Sequence, residues 1–132
     1  MHVYRIALLT VVAALFTACG VSLKPEELYG KWKYVKVEKL NTNPPELLPD
    51  YELSSQSPYI EFSKDSNLKI VWGGDILSSG TFRIDGNKIM FKEDLPGGKT
   101  REFPFLVSSL EGRNIVFETT TQGGSRVTAI KE

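Results

Sequence analysis

The sequence predicts an all-β fold, a small antiparallel up-and-down β-barrel of about eight strands preceded by a short helical turn. Three observations carry that expectation. Most of the segments after residue 30 alternate apolar and polar residues at period two, the pattern of a half-buried strand. Turn residues separate them, with Asp85-Gly86 before Asn87 as a strong hairpin signal. Gly30-Lys31-Trp32 stands at the head of the first strand. Gly30 allows a sharp backbone turn, and the Trp32 indole can lie across the narrow end of a barrel, covering about 150–250 Å².

Taken in order, the chain begins with an address. Arg5 and the amino terminus precede Ile6–Ala18, apolar apart from Thr10 and Thr17. As a helix that run spans only about 20 Å, short of the ~30 Å hydrocarbon core, so it reads as a secretory signal rather than a membrane span. Its end, Phe16-Thr17-Ala18-Cys19, resembles a bacterial lipobox, cut before a cysteine that takes up lipid. Phe16 stands where that motif usually has Leu, Val or Ile, and an ordinary signal-peptidase site wants a small residue there. Cys19 is the only cysteine in the chain, so an internal disulfide is excluded. Its alternatives are an acylated anchor and a plain buried thiol; two or more acyl chains would hold the protein stably on a membrane. The expected organisation is a lipoprotein signal peptide over 1–18, the lipidated cysteine and a tether over 19–27, and one barrel domain over 28–132. The expected location is the cell envelope, anchored to a bacterial membrane (the outer membrane first) and facing the periplasm or the surface.

Removing residues 1–18 from the 132 leaves 114, a single-domain length. Arg5 and His2 go with them, leaving 15 Lys and Arg against 16 Asp and Glu. So even a balance, without a basic patch, gives nucleic acid nothing to bind. A chain without histidine, and with its one cysteine acylated, has no Ser-His-Asp or Cys-His catalysis and no zinc site built on those residues. Carboxylate pairs or a Ser–Lys arrangement stay formally open, but no spacing singles one out. The expectation is a protein without catalysis, cofactor or metal.

Pro25–Gly30 has proline and acids at its start and glycine at its end, the signature of one helical turn beside Trp32. The expected strands are Lys31–Leu40, Tyr59–Ser63, Asn67–Trp72, Ser79–Ile84, Asn87–Lys92, Thr100–Ser108, Asn114–Thr120 and Ser125–Lys131. In the first, Trp32/Tyr34 and Val35/Val37 have opposite parity, which predicts a bulge. Pro104 removes a ladder donor and predicts an irregularity in the sixth. Tight turns gather at the end where the first strand begins. Mostly longer connections gather at the other: Asn41–Pro58, Gly73–Ser78, Glu93–Lys99 and Thr121–Gly124. That is the asymmetry of a cup with a closed base and an open mouth.

An ordered set of motifs carries a family resemblance. Leu28-x-Gly30-x-Trp32, Tyr59-Ile60-Glu61-Phe62-Ser63-Lys64-Asp65, Gly80-Thr81-Phe82-Arg83-Ile84, Asn87-Lys88-Ile89-Met90-Phe91 and Leu110-Glu111-Gly112-Arg113-Asn114-Ile115-Val116-Phe117 follow one another across nearly all of 28–131. Together they resemble the lipocalin-like domain of Bacteroidetes lipoproteins. The Gly-x-Trp element is shared with lipocalins proper, where an arginine late in the last strand packs on the tryptophan. Here the late residue is Lys131, and Arg126 lies at the strand's start.

Gly30 and Trp32 read as structural. Asp65-Ser66-Asn67 could offer calcium oxygens but lacks the rest of a calcium loop, and reads as a turn. An eight-stranded barrel is just wide enough to be filled by side chains or to hold one small ligand, and the many Phe and Ile favour filling. The mouth is the candidate site. Leu47, Leu48, Tyr51, Ile76, Leu77 and Leu95 lie there in expected loops, beside Asp50, Asp75, Glu93 and Asp94. Trp72 closes its strand at the same end, and Arg101 and Arg126 begin theirs there, able to neutralise part of the acid. These apolar residues either fold down as a plug or form a rim for a small hydrophobic ligand or an envelope protein. A ligand-binding module and a non-catalytic interaction module that docks through its mouth loops are the two functions expected.

Overall fold

The computed structural model describes residues 21–132, so the expected signal peptide and Cys19 lie outside the described residues. Helix α1 (Pro25–Leu28) leads into β1 (Gly30–Lys39). A two-residue strand β2 (Glu46–Leu47) and helix α2 (Asp50–Gln56) follow. Then come β3 (Tyr59–Phe62), β4 (Asn67–Trp72), β5 (Asp75–Asp85), β6 (Lys88–Asp94), β7 (Thr100–Glu111), β8 (Asn114–Thr119) and β9 (Ser125–Lys131). From β3 to β9 each strand pairs antiparallel with the next, and β1 joins β3 on one side and β9 on the other. The result is a closed eight-stranded antiparallel barrel, as the alternation predicts.

Closure rests on a long register between β1 and β9, from Trp32↔Lys131 to Lys39↔Ser125. It shifts between Tyr34 and Lys36, leaving Val35 as the extra residue. This is the predicted bulge. It turns Val37 inward in spite of its parity, so Trp32, Tyr34 and Val37 are all buried.

At the base, the Trp32 indole N–H donates to the Leu28 carbonyl at 2.8 Å. Both residues are fully buried. The Lys131 ammonium stands 5.3 Å from the ring centre, a cation–π contact that seals the indole from outside. Gly30 is required beneath it: its φ is +127°, and a Cβ there would lie 2.9 Å from Lys131 Cε. Part of the segment expected to be a short tether packs on this base as well, with Leu23 buried and its N–H bonded to Gly86 O at 3.2 Å.

The interior above the base is filled. Phe62, Phe91, Phe105 and Phe117 are almost wholly buried. A chain of ring contacts runs from Phe91 to Phe105 (5.7 Å), Phe105 to Phe117 (5.4 Å) and Phe117 to Tyr34 (6.2 Å). Burial pushes the Tyr34 phenol above its ordinary pKa.

Four details differ from the sequence expectation. Gly73 and Gly74 both have positive φ, which makes a two-residue hairpin turn, so β5 starts at Asp75 and Ile76 and Leu77 lie on a strand. The strand β6 likewise extends through Glu93 and Asp94. The long connection after β1 holds a helix of seven residues, α2, whose Leu53 is buried in the core. Pro104 pairs with Met90 in regular register, and the β7 irregularity falls between Val107 and Ser109. The β7–β8 pairing stops at Phe105↔Thr119, so Pro104 has a partner strand on one side only, where proline is tolerated.

Trp32→Ala removes the largest side chain of the base and leaves the Leu28 carbonyl without its donor. We expect a loss of about 3–5 kcal/mol, read as a lower urea midpoint with unchanged slope. A loss below about 1 kcal/mol would mean that the indole does not seal the base.

A polar-walled recess at the barrel mouth

At the mouth the pattern of inward residues changes character. Along β6, Ile89, Phe91 and Glu93 share the inner face, so simple alternation carries a carboxylate into the barrel. Its side chain is only 12% exposed. The register sets Arg101 of β7 directly across from it. The Arg101 Nε–H donates to Glu93 Oε1 at 2.6 Å, and the Ser78 hydroxyl donates to Oε2. The Arg101 guanidinium lies 5.4 Å from the centre of the Phe103 ring, and 55% of its side chain is exposed. A buried carboxylate is tolerable only when its oxygens are bonded, and both are.

These residues form one wall of a recess of about 290 Å³ in the mouth. Phe103, Phe105 and Ile70 supply an apolar surface, Leu77 an apolar edge, and Thr119 and Thr121 hydroxyl-bearing neighbours. Leu77 reaches it through a second bulge. Ile70 pairs with Ser78 but Val71 pairs with Ile76, so Leu77 is the extra residue of β5 and is turned toward the side of Ser78. Below Phe105 the packed rings close the barrel, so the recess is shallow. A larger hollow of about 350 Å³ lies on the outer wall over Glu61, Lys69 and Asp94, where the Lys69–Glu61 ion pair at 3.2 Å is open to water.

The expected mouth residues separate. Leu77 lines the recess, and Trp72 lies partly buried at the same end, edge-on to Tyr34 at 6.3 Å. Leu95 is partly buried in the β6–β7 connection. Ile76 and Tyr51 are 62% and 77% exposed, and Asp75 is exposed at the hairpin tip. Arg126 alternates to the outer wall, bonded to Glu38 at 2.8 Å and Glu118 at 3.2 Å. Glu93 and Arg101 stand out in the sequence only as rim charges, Phe103 only as one of the alternating inward phenylalanines, and Ser78 and Thr119 not at all. Extending the Ile89/Phe91 alternation by one step would have found Glu93. The Asp65–Asn67 segment forms a tight turn, with Ser66 at φ 64° and its N–H bonded to Ser63 O at 3.1 Å. Among the described residues, no three His, Cys, Asp or Glu stand close enough to hold a metal ion. No family model matches this sequence, and no curated protein matches it.

The outer-wall cluster has a measurable pH signature. The Lys36 ammonium, 2.9 Å from Glu38, and then the Arg126 guanidinium hold the Glu38 carboxyl below its ordinary pKa. A depressed folded-state value contributes stability above the unfolded value and loses it as pH falls through the folded one. Glu38→Gln is therefore expected to be less stable than the parent at neutral pH, with the gap closing as the solution is acidified below the ordinary carboxylate range. Urea midpoints across a pH series test this; a gap independent of pH would contradict the ion-pair account.

Proposed function

We propose that this protein is a lipid-anchored cell-envelope protein of lipocalin-like build, which holds a small apolar or amphipathic molecule at its mouth without transforming it. The observation that carries the ligand reading is the recess itself. An otherwise filled barrel keeps an opening of about 290 Å³ at one end, lined by aromatic surface together with bonded polar groups. That is the composition of a small-molecule site, just below the usual size of about 300–1,000 Å³. The lipocalin-like assignment draws support from the base, where Lys131 covers Trp32 from the last strand, as an arginine does in lipocalins.

The anchor reading rests on Thr17-Ala18-Cys19 after the apolar run. Leu23 is docked on the base, so very little free chain separates Cys19 from the barrel. An acylated Cys19 would hold the base toward the bilayer and the mouth away from it. Cys19→Ser should abolish incorporation of a fatty-acid analogue in metabolic labelling, because serine offers no thioether for the lipid. Equal labelling of variant and parent would exclude the anchor.

The two tryptophans report on opposite ends. Trp72 is not a lining residue but stands two positions along β4 from Ile70, which is, so occupancy of the recess should shift Trp72 emission saturably and leave Trp32 unchanged. Trp72→Phe should remove the response to a panel of short alkyl and aryl amphiphiles, and Trp32→Phe should spare it while lowering stability. No saturable response from the folded parent to any of the panel would favour a second reading, docking of an envelope protein. The exposed Tyr51, Ile76 and Leu77 at the same end are the observation behind that alternative.

A further inference from the structure

We propose that the recess selects small amphiphiles with an anionic head group, and that Arg101 is the residue that recognises it. The inference rests on the reading of the recess as a ligand site and concerns which chemistry that site accepts.

The polar wall is not neutral in hydrogen-bonding terms. Glu93 is the one acceptor-only group lining the recess, and both of its oxygens already receive hydrogen bonds from Arg101 and Ser78. An ammonium group entering the recess would meet a carboxylate whose charge is already matched by a guanidinium bonded at 2.6 Å. Arg101, by contrast, has donors to spare. A guanidinium carries five N–H donors and no acceptor, and among the described residues only its Nε–H is bonded to protein. The guanidinium lies over the Phe103 ring, 5.4 Å from its centre, and 55% of the Arg101 side chain is exposed, so its remaining donors are open to water or a ligand. The Thr119 hydroxyl oxygen accepts the Ser125 N–H at 3.1 Å, which leaves its proton to donate. An incoming head group thus meets unbonded N–H and O–H donors at an ion pair whose net charge is zero. A carboxylate or a phosphate monoester is the complementary chemistry.

The acids of the mouth do not oppose this. Asp94 follows Glu93 and so alternates to the outer wall, where it borders the outer hollow rather than the recess. Asp75 lies at the tip of the β4–β5 hairpin and does not line the recess. The apolar part of the ligand is bounded as well. Phe103, Phe105, Ile70 and Leu77 offer it surface, but the packed rings below Phe105 stop it from going deeper. The recess holds the volume of about ten waters at about 30 Å³ each, enough for a chain of a few carbons and too little for a sterol.

The test titrates the full chain in lipid nanodiscs with four probes of one chain length: hexanoate, hexyl phosphate, 1-hexanol and hexylammonium. Protein amide resonances are read, so partition of a probe into lipid gives no signal. Charge-assisted hydrogen bonds predict that at least one of the two anions binds about tenfold or more tighter than hexanol, with hexylammonium weakest. Comparing hexanoate with hexyl phosphate tells a carboxylate site from a phosphate site. In the double variant Arg101→Gln/Glu93→Gln no buried carboxylate is left without its partner, and the anion-to-alcohol ratio should fall to near one. Arg101→Lys should keep part of the preference. Equal binding of hexanoate, hexyl phosphate and hexanol to the parent, or tightest binding of hexylammonium, would overturn the inference and leave the ligand-site reading standing. Loss of hexanol binding together with the anions in a folded double variant would make Arg101 a structural residue and overturn its assigned role. Binding of none of the four at the recess would overturn both readings.

Discussion

Everything in this barrel depends on β1 closing onto β9, and that closure depends on one extra residue. A closed sheet has no free edges, but it requires every strand to keep its apolar residues inside while following the curve. The first strand cannot do so with strict alternation, because Trp32 and Tyr34 are even-numbered and Val37 is odd. Placing the bulge at Val35 resolves the conflict and lets the register continue to Lys39↔Ser125. Without it, Lys36 and Glu38 would face the phenylalanines. The same strand meets its other neighbour for only part of its length. It pairs with β3 from Gly30 to Lys33, and beyond that Tyr34 N–H bonds to Pro58 O while β2 takes over at Glu38 and Lys39. Helix α2 lies in this region and contributes Leu53 to the core.

With the ends defined, the filled interior follows from side-chain volume. Eight strands enclose a space that side chains can just fill, and phenylalanines supply the largest share of the volume at the inward positions here. A glycine shows how tight the wall becomes: a Cβ on Gly80 would lie 1.9 Å from the Lys92 carbonyl oxygen. Such close approach of β5 to β6 is possible only without a side chain at that point. It falls beside Glu93, in the stretch where the packed interior gives way to the recess.

Much of this was legible in the residues. Strand count, barrel closure, the Val35 bulge and the seal at Trp32 all follow from period-two patterning and from the meaning of Gly-x-Trp. The mouth was harder, for physical reasons. Gly73-Gly74 followed by Asp-Ile-Leu reads as an irregular loop until both glycines are known to take positive φ, which turns the same letters into a hairpin. Glu93-Asp94 reads as the polar start of a loop, because a charged pair seldom continues a strand into a barrel interior. Whether a charge at a strand end faces in or out depends on where the strand ends, and ladder pairing across from Thr100 and Arg101 decides that. Arg126 shows the converse. Its position at the mouth end was plain, but its face was set by the alternation of Val127 and Ala129, both buried, which sends it outward between two glutamates.

The Glu93–Arg101 pair also explains why the mouth stays open when apolar side chains are at hand to close it. Leu77 is 67% exposed directly above a surface of phenylalanine, and Leu95 lies in the connection that follows Glu93. Covering the recess with those leucines would bury apolar area, each side chain contributing about 1.5–3 kcal/mol if fully covered. It would also strip water from a guanidinium whose side chain is 55% exposed, and desolvating an ion costs several kcal/mol. The two terms are of similar size and opposite sign. The half-exposed Arg101 guanidinium thus opposes covering of the recess by those leucines. An apolar residue at position 93 would remove this opposition, and the mouth would be free to pack like the rest of the barrel.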